Sequence, residues 1–204
     1  MTFMPNPLAR SARFSLPNGG VSSPRIKYWL ERLIAADIAA VRALTGAERS
    51  KFFRLCAILI SKLGNGWIYP ILAAAVFFAW GWDDGKRLML LAAINAAAMH
   101  IMYPLIKKRF KRLRPFKVDP QLPSLLKTLD EHSFPSGHAM TLTGVLAPIV
   151  MFWPAAFASA VLMACCMAWS RIATGHHYPS DVAAGVALGV GVGYPLSANL
   201  AAFF

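Results

Sequence analysis

Three short polar segments of this chain combine residue types that bind phosphate with residue types that move protons. They are 107–115 (KKRFKRLRP), 135–138 (PSGH) and 170–181 (SRIATGHHYPSD). Each segment lies at the end of a strongly apolar stretch. Helices formed by those stretches could therefore gather the three segments at one face of the protein.

The third segment pairs a histidine with a carboxylate. Asp181 follows His177 by four residues, which is about one helical turn, so the carboxylate can reach an imidazole nitrogen. Such a contact fixes the tautomer and leaves the other nitrogen free as a nucleophile or base. Pro179 suits a first helical position, so Asp181 is expected in the first turn of the last helix. The spacing fits equally well a capping Asp181 beside histidines at the membrane boundary.

The second segment has the composition of a helix start that binds an anion. Ser136 and Gly137 open the helix, where unpaired backbone amides attract phosphate, and glycine allows close approach. His138 follows in the first turn, where it is placed to donate a proton. Taken alone, the segment would be interpreted as an ordinary helix start.

The first segment supplies cations. Arginine offers a planar fork that matches phosphate oxygens, and lysine supplies a point charge. Composition does not choose among the many cations of this region. Four of them are interpreted as a basic cluster that faces lipid: Lys108, Arg109, Lys111 and Arg112.

Composition indicates a membrane protein. Hydrophobic residues make up 57% of the 204 residues and charged residues only 15%. Apolar stretches near the length of a bilayer crossing predict several membrane spans. The net charge of +12 is clustered beside these stretches, which favours anionic lipid head groups as partners and argues against nucleic acid.

The pattern along the chain predicts an all-α fold, a multi-span transmembrane bundle of five or six membrane helices with an N-terminal amphipathic helix. Residues 1–24 are expected to form a flexible basic segment, and 51–204 the membrane-embedded domain. Residues 25–50 show helical periodicity interrupted by charges. This pattern predicts a helix on the membrane surface, with a helix packed on the protein as an equal alternative.

Five crossings are predicted at about 66–82, 88–106, 138–152, 155–172 and 182–202. Gly64 and Gly66 are expected to break the first helix, and 83–86 to form a turn. Trp153-Pro154 divides an uncharged stretch into a hairpin, since proline disfavours the helical state of the preceding residue. The hairpin brings all three polar segments to one side of the membrane.

The ordered set of motifs is far more specific than any part. It reads Lys107-x6-Arg114-Pro115, then Pro135-Ser136-Gly137-His138, then Ser170-Arg171-x5-His177-x3-Asp181. This set resembles the three-part signature of the type-2 phosphatidic-acid phosphatase family, which shares its site with vanadium haloperoxidases. The resemblance covers about residues 60–200. The first 50 residues depart from the usual membrane members, which leaves the number of crossings open.

The resemblance implies a role for each signature residue. It implies that His177 is the nucleophile and forms a phosphohistidine. Asp181 would orient the His177 ring and support its charge. His138 would protonate the leaving alkoxide and later activate water. The phosphoryl oxygens would be held by Lys107, Arg114, Ser136, Gly137 and Arg171. No metal and no other cofactor is implied, and the sequence lacks the carboxylate cluster that Mg²⁺ prefers. Other polar residues keep no assigned role: His176 is interpreted as interfacial packing, Asn95 and His100 as functional groups or interhelical hydrogen bonds, and His132 is left unassigned.

The expected function is an integral membrane phosphohydrolase. Its substrate would be a lipid phosphate such as phosphatidic acid, phosphatidylglycerophosphate, or a polyprenyl phosphate or diphosphate. A lipid phosphotransferase with the same intermediate and a non-catalytic lipid-binding protein are the alternatives, and a haloperoxidase is disfavoured because members with that activity are soluble. The oligomeric state stays open.

The distribution of charge along the chain predicts which face of the membrane carries the site. The membrane is expected to be a bacterial cytoplasmic membrane. Ten of the 21 Lys and Arg lie in the first 65 residues, and eight more lie in 107–127. With five crossings these regions share a face, and the positive-inside rule favours a cytoplasmic site. A sixth crossing formed from 28–62 would reverse that placement.

Overall fold

Helices make up most of the chain in the computed structural model, which describes residues 23–45, 50–128 and 130–203. The predicted segment 1–24 lies almost wholly outside these residues. The helices are α1 (Pro24–Thr45), α2 (Lys51–Lys62), α3 (Ile68–Phe110), α4 (Pro115–Val118), α5 (Gly137–Phe152), α6 (Phe157–Ala173) and α7 (Pro179–Leu200). A π-helical segment, Leu63–Trp67, joins α2 to α3, and short 3₁₀ turns occupy Pro154–Ala156 and Ala201–Phe203.

Within the described part of the chain, three helical stretches are long and apolar enough to cross a membrane. They are Lys51–Phe110, Pro154–Ala173 and Pro179–Phe203, and α5 is a shorter apolar helix. The predicted all-α membrane bundle is thus confirmed in its class. Whether the chain crosses five or six times stays a prediction.

The long stretch Lys51–Phe110 is broken at two glycines. Gly66 has φ 135°, which confirms the break expected at Gly64 and Gly66. Gly81 has φ 73° and ψ −171°, a conformation that glycine adopts without steric cost. The turn predicted at 83–86 is wrong, because these residues are helical and the chain bends just before them.

Residues 83–86 come directly after the break at Gly81, so Asp83 and Asp84 lie in the first turn of the next helical part, where acidic side chains are favourable. Lys86 Nζ lies 2.7 Å from Asp83 Oδ1, an ion pair at i,i+3 spacing. Gly85 serves packing here, since a Cβ at this position would lie 2.6 Å from Phe77 Cδ1. The glycine that ends the first helix is therefore Gly81.

The predicted hairpin is confirmed. Helix α5 ends at Phe152, Trp153 leaves the helical region with φ −133° and ψ 81°, and α6 begins at Phe157 after the 3₁₀ turn. The start of α5 and the end of α6 therefore lie at the same end of the bundle.

Helix α5 forms the centre of the bundle and packs closely on α7. Three glycines of α7 at four-residue spacing are buried: Gly185, Gly189 and Gly193. A Cβ at Gly189 would lie 2.1 Å from Thr143 Oγ1 and 2.4 Å from Met140 O, both on α5. Small residues at this spacing let two membrane helices bring their backbones together.

A buried asparagine connects three helices. Asn95 Nδ2 on α3 donates to Gly144 O of α5 at 2.8 Å, and to Gly193 O and Ser197 Oγ of α7 at 3.0 and 2.9 Å. Of the two interpretations open for Asn95, the structure supports the interhelical hydrogen bond.

Helix α1 packs one face on the protein. Its buried residues Ile34, Ile38 and Val41 contact a cluster that includes Ile172 and Tyr178. The opposite face exposes Ile26, Trp29 and Leu33. The predicted helix is present, and the alternative of packing on the protein holds for its inner face, while contact of the outer face with the membrane surface stays a prediction.

The α5–α7 contact makes Gly189 sensitive to substitution. We expect Gly189→Ala to lower the free energy of unfolding by about 1–3 kcal/mol, because the added methyl group overpacks a backbone contact. Thermal unfolding in detergent measures the effect. Gly191→Ala is the matched control, since a Cβ there meets no atom within 4 Å. Equal stability of the two variants would contradict the packing role.

Candidate active site

Six of the eight predicted site residues line one cavity of about 410 Å³: Lys107, Arg114, Gly137, His138, Arg171 and His177. Ser136 and Asp181 are fully buried, and Ser136 N–H donates to Asp181 O at 3.0 Å. The bundle therefore brings together the ends of α3 and α6 and the starts of α5 and α7, as the hairpin requires.

His177 is buried between a cation and a carboxylate. Its Nε2 lies 3.4 Å from Arg114 Nη1, and its Nδ1 lies 3.7 Å from Asp181 Oδ2, slightly beyond hydrogen-bond distance. Burial, together with Arg114 and Arg171, holds the pKa of His177 well below its usual range. The imidazole is therefore neutral at pH 7, with a lone pair available for attack.

Asp181 both caps a helix and lies beside His177. Its Oδ2 accepts the Tyr178 backbone N–H at 2.9 Å, which closes a capping box at the start of α7. The two interpretations that the spacing left open are therefore compatible. The cap fixes the carboxylate near the imidazole without a direct hydrogen bond.

Two of the predicted phosphate-binding cations share a carboxylate that sequence reasoning missed. Asp130 Oδ2 lies 2.7 Å from Lys107 Nζ, and Asp130 Oδ1 lies 2.7 Å from Arg114 Nη2. Burial alone would raise the pKa of Asp130, but the two cations outweigh it and hold the pKa below its usual range. The Asp130 carboxylate thus pairs with the two cations that are expected to bind phosphate.

Arg171 is oriented by two residues that sequence reasoning did not assign to the site. Its Nη1 donates to Ser61 Oγ, and its Nη2 lies 3.1 Å from His176 Nδ1. His176 Nε2 in turn lies 3.0 Å from Leu126 O. Burial and the cations Arg171 and Arg114 lower the pKa of His176 to about 3, so its neutral ring accepts from Arg171 and donates to Leu126.

This placement corrects the interpretation of His176 as interfacial packing. The side chain is only 1% exposed and forms part of the cavity wall. The sequence alone did not reveal this role, because nothing in the local pattern distinguishes His176 from the adjacent His177 as a second site residue. Residue 175, a glycine with φ 76°, turns the chain so that both imidazoles point inward.

His138 is held by the π-helical segment. Its Nε2 lies 2.7 Å from Asn65 Oδ1, so an oxygen acceptor faces the ring at this position. Gly64 allows the close approach, since a Cβ there would lie 2.8 Å from His138 Cδ2. Nearby, Ser136 Oγ is buried and has no hydrogen-bond partner among the described residues. This hydroxyl and the first amides of α5 are available to an anion.

Arg112 overturns part of the predicted lipid-facing cluster. Its side chain is 0% exposed, whereas Lys108, Arg109 and Lys111 are exposed as predicted. Arg112 Nη1 lies 2.7 Å from Asp181 Oδ1, and Arg112 Nη2 lies 2.7 Å from Asp37 Oδ2. The physical reason is Lys111, whose left-handed backbone (φ 46°) ends α3 and turns the next residue inward.

The remaining histidines lie at the edge of the site or outside it. His100 is exposed at the cavity, where its ring meets Tyr103 edge to face with centroids 5.5 Å apart. His132 forms an isolated backbone bridge with Leu113. Neither arrangement gives these histidines a chemical role.

Comparisons with known proteins agree with the geometry. Residues 87–202 match the PAP2 superfamily. Decaprenylphosphoryl-5-phosphoribose phosphatase of Mycobacterium tuberculosis is 37% identical over 128 residues, which cover 63% of this chain and 68% of that protein. These matches show the family.

Two solved structures share the fold. A transmembrane PAP2 type phosphatidylglycerolphosphate phosphatase from Bacillus subtilis superposes with a TM-score of 0.62 at 20% identity, covering 97% of this chain and 92% of that chain. Aquifex aeolicus LpxE gives a TM-score of 0.62 at 20% identity, covering 80% of this chain and 95% of that chain. At this identity the likeness concerns the fold alone.

The position of Asp130 predicts competition with added anions. We expect Asp130→Asn to bind inorganic phosphate more tightly, on the order of tenfold, because a neutral amide competes less well for Lys107 and Arg114. Thermal-shift titration with phosphate in detergent measures the affinity. Glu131→Gln is the control, since this neighbour is exposed and pairs with Lys117, at 3.3 Å, and not with the two cations of Asp130. Weaker phosphate binding by Asp130→Asn would instead show that Asp130 orients the cations.

Proposed function

The chain belongs to the PAP2 superfamily of membrane lipid phosphatases, and on that premise we propose that it removes a terminal phosphate from a lipid through a phosphohistidine on His177. The observation that carries this proposal is the buried imidazole of His177. It lies between Arg114 and Asp181, in one cavity with His138. A nucleophile, a proton donor and cations for phosphate are thus all within reach of one bound group.

In the first half of the reaction, His177 Nε2 attacks phosphorus. The bond between phosphorus and the lipid oxygen breaks, and His138 protonates the departing alkoxide. Lys107, Arg114 and Arg171 stabilise the charge on the phosphoryl oxygens, as phosphoryl transfer requires. Ser136 Oγ and the amide of Gly137 complete the phosphate site. Asp181 stabilises the positive charge that forms on the imidazole.

In the second half, His138 accepts a proton from water, and the resulting nucleophile attacks the phosphohistidine. The bond between nitrogen and phosphorus breaks, inorganic phosphate leaves, and His177 returns to its neutral form. Both histidines end in their starting state, as a catalytic cycle requires.

The substrate class is supported by the relatives. One relative acts, by name, on decaprenylphosphoryl-5-phosphoribose, and a structural neighbour on phosphatidylglycerolphosphate. We therefore place polyprenyl phosphate derivatives first, followed by phosphatidylglycerophosphate and phosphatidic acid. A cavity of about 410 Å³ suits a phosphorylated head group, so the hydrocarbon chain stays in the bilayer.

The proposal is tested with His177→Ala. We expect this variant to lose at least 95% of phosphate release from purified lipid phosphates, because the nucleophile is gone, in line with the large losses seen when a nucleophile is removed from other enzymes. Asp181→Asn should lose less, since the imidazole remains. Phosphate release in detergent micelles, over a panel that includes polyprenyl, glycerophosphate and diacylglycerol phosphates, is the measurement.

His132→Ala is the matched control, because this histidine lies outside the cavity lining and should keep wild-type activity. Assays with an added acceptor lipid distinguish hydrolysis from phosphotransfer by their products. Running them in EDTA tests the expectation that no metal is needed. Substantial activity in His177→Ala would refute the phosphohistidine assignment.

The role of His138 predicts a dependence on the leaving group. We expect His138→Ala to slow hydrolysis of an alkyl phosphate by about 10²–10⁴-fold, because the alkoxide needs a proton. An aryl phosphate whose leaving group needs little protonation should lose far less. Rates of both substrates, in wild type and variant, give the comparison. Equal losses on the two substrates would indicate that His138 acts only in the structure.

The sidedness expected from charge is also testable. Asp84 lies with Phe152 at the hairpin end of the bundle, whereas Leu125 N–H, next to Ser124, donates to Thr174 O near the site. Single cysteines at 84 and 124, in a background without Cys56, Cys165 and Cys166, should label oppositely in intact cells. A cytoplasmic site predicts that an impermeant thiol reagent reaches 84 and spares 124. The reverse pattern would place the site outside.

A further inference from the structure

A buried carboxylate from α1 reaches the start of α7. Asp37 is 3% exposed, its Oδ1 accepts the Ser180 backbone N–H at 3.0 Å, and its Oδ2 accepts the Ser180 hydroxyl. Residue 37 lies outside the 87–202 region that matches the family. The sequence presented Asp37 only as a charge that interrupts an apolar pattern.

The same carboxylate shares Arg112 with Asp181. The guanidinium donates to Asp37 Oδ2 through Nη2 and to Asp181 Oδ1 through Nη1, each at 2.7 Å. The face of the guanidinium lies 4.0 Å from the centre of the Tyr178 ring. The planar fork of arginine suits this bridging position, which a lysine ammonium could not fill in the same way.

Arg112 supplies one positive charge to two carboxylates. When both carboxylates are ionised, the group therefore carries a net negative charge. That charge lies next to His177, whose Nδ1 is 3.7 Å from Asp181 Oδ2. Phosphohistidine formation puts a positive charge on the imidazole, which a net negative neighbour stabilises. With Arg112 on Asp181 alone, the pair would be neutral and that stabilisation weaker.

We propose that Asp37 is a positioning residue for the reaction, which acts through Arg112 to hold Asp181 in place and to keep its charge available to His177. This inference rests on the proposed function of the same site. It makes α1 a part of the active site and not only a helix packed on its outside.

The test is Asp37→Asn in the full chain. We expect kcat to fall on the order of tenfold or more, because a unit charge is lost within a few ångströms of Asp181 in a buried site. KM should stay within about twofold of wild type, since Asp37 does not contact Lys107, Arg114 or Arg171, which are proposed to bind phosphate. Asp37→Glu, which keeps the charge, should recover most of the loss.

Arg42→Gln is the matched control. Arg42 also lies on α1, and it pairs with Asp119 at 2.7 Å, whereas Arg112 pairs with Asp37 and Asp181. If Asp37 only anchors α1, Asp37→Asn and Arg42→Gln should both lower thermal stability, and both should leave kcat unchanged. A fall of kcat in Asp37→Asn alone, at constant KM, supports the charge relation.

If Asp37→Asn fails to fold, Arg112→Lys provides a second test. Lysine keeps the positive charge but cannot bridge both carboxylates with a planar fork. We expect the kcat of Arg112→Lys to fall and its KM to stay unchanged. Full kcat in a folded Asp37→Asn, or in Arg112→Lys, overturns the inference and leaves the phosphatase proposal standing. An inactive wild type, over the whole lipid panel, overturns the proposed function and the inference together.

Discussion

The guanidinium of Arg112 is the charge on which the rest of this site depends. It is fully buried, and a buried charge is tolerated only when it is paired. Two carboxylates that pair with it come from distant parts of the chain, Asp37 on α1 and Asp181 on α7. Burial raises the cost of every charge in this group, but mutual pairing offsets it, so the three side chains must assemble together. The start of α7, and with it the position of His177, follows from that assembly.

The region before the family match supports the site at three places. Ser61 contacts Arg171, Asn65 contacts His138, and Asp37 contacts Arg112. Each of the three polar segments therefore has a partner from α1, α2 or the π-helical segment. The signature residues occupy about the last half of the chain, but their orientation is set by residues that carry no motif.

Features set by local chemistry were predictable from the sequence. Proline and glycine placed the hairpin at Trp153 and the break at Gly66, and fixed spacings brought six signature residues to one cavity. Features set by long-range contacts were not. Arg112 is one cation in a run of similar ones, and only the left-handed Lys111 turns it inward. Asp130 is one of two adjacent acids in a loop, and its two cations come from residues 16 and 23 positions away. No local pattern signals either contact.

The length of α5 has a consequence for the surrounding membrane. Its 16 residues span about 24 Å at 1.5 Å per residue, less than the ~30 Å of a typical hydrocarbon layer. Because α5 is enclosed by α3, α6 and α7, this shortfall lies inside the protein and need not deform the surrounding lipid.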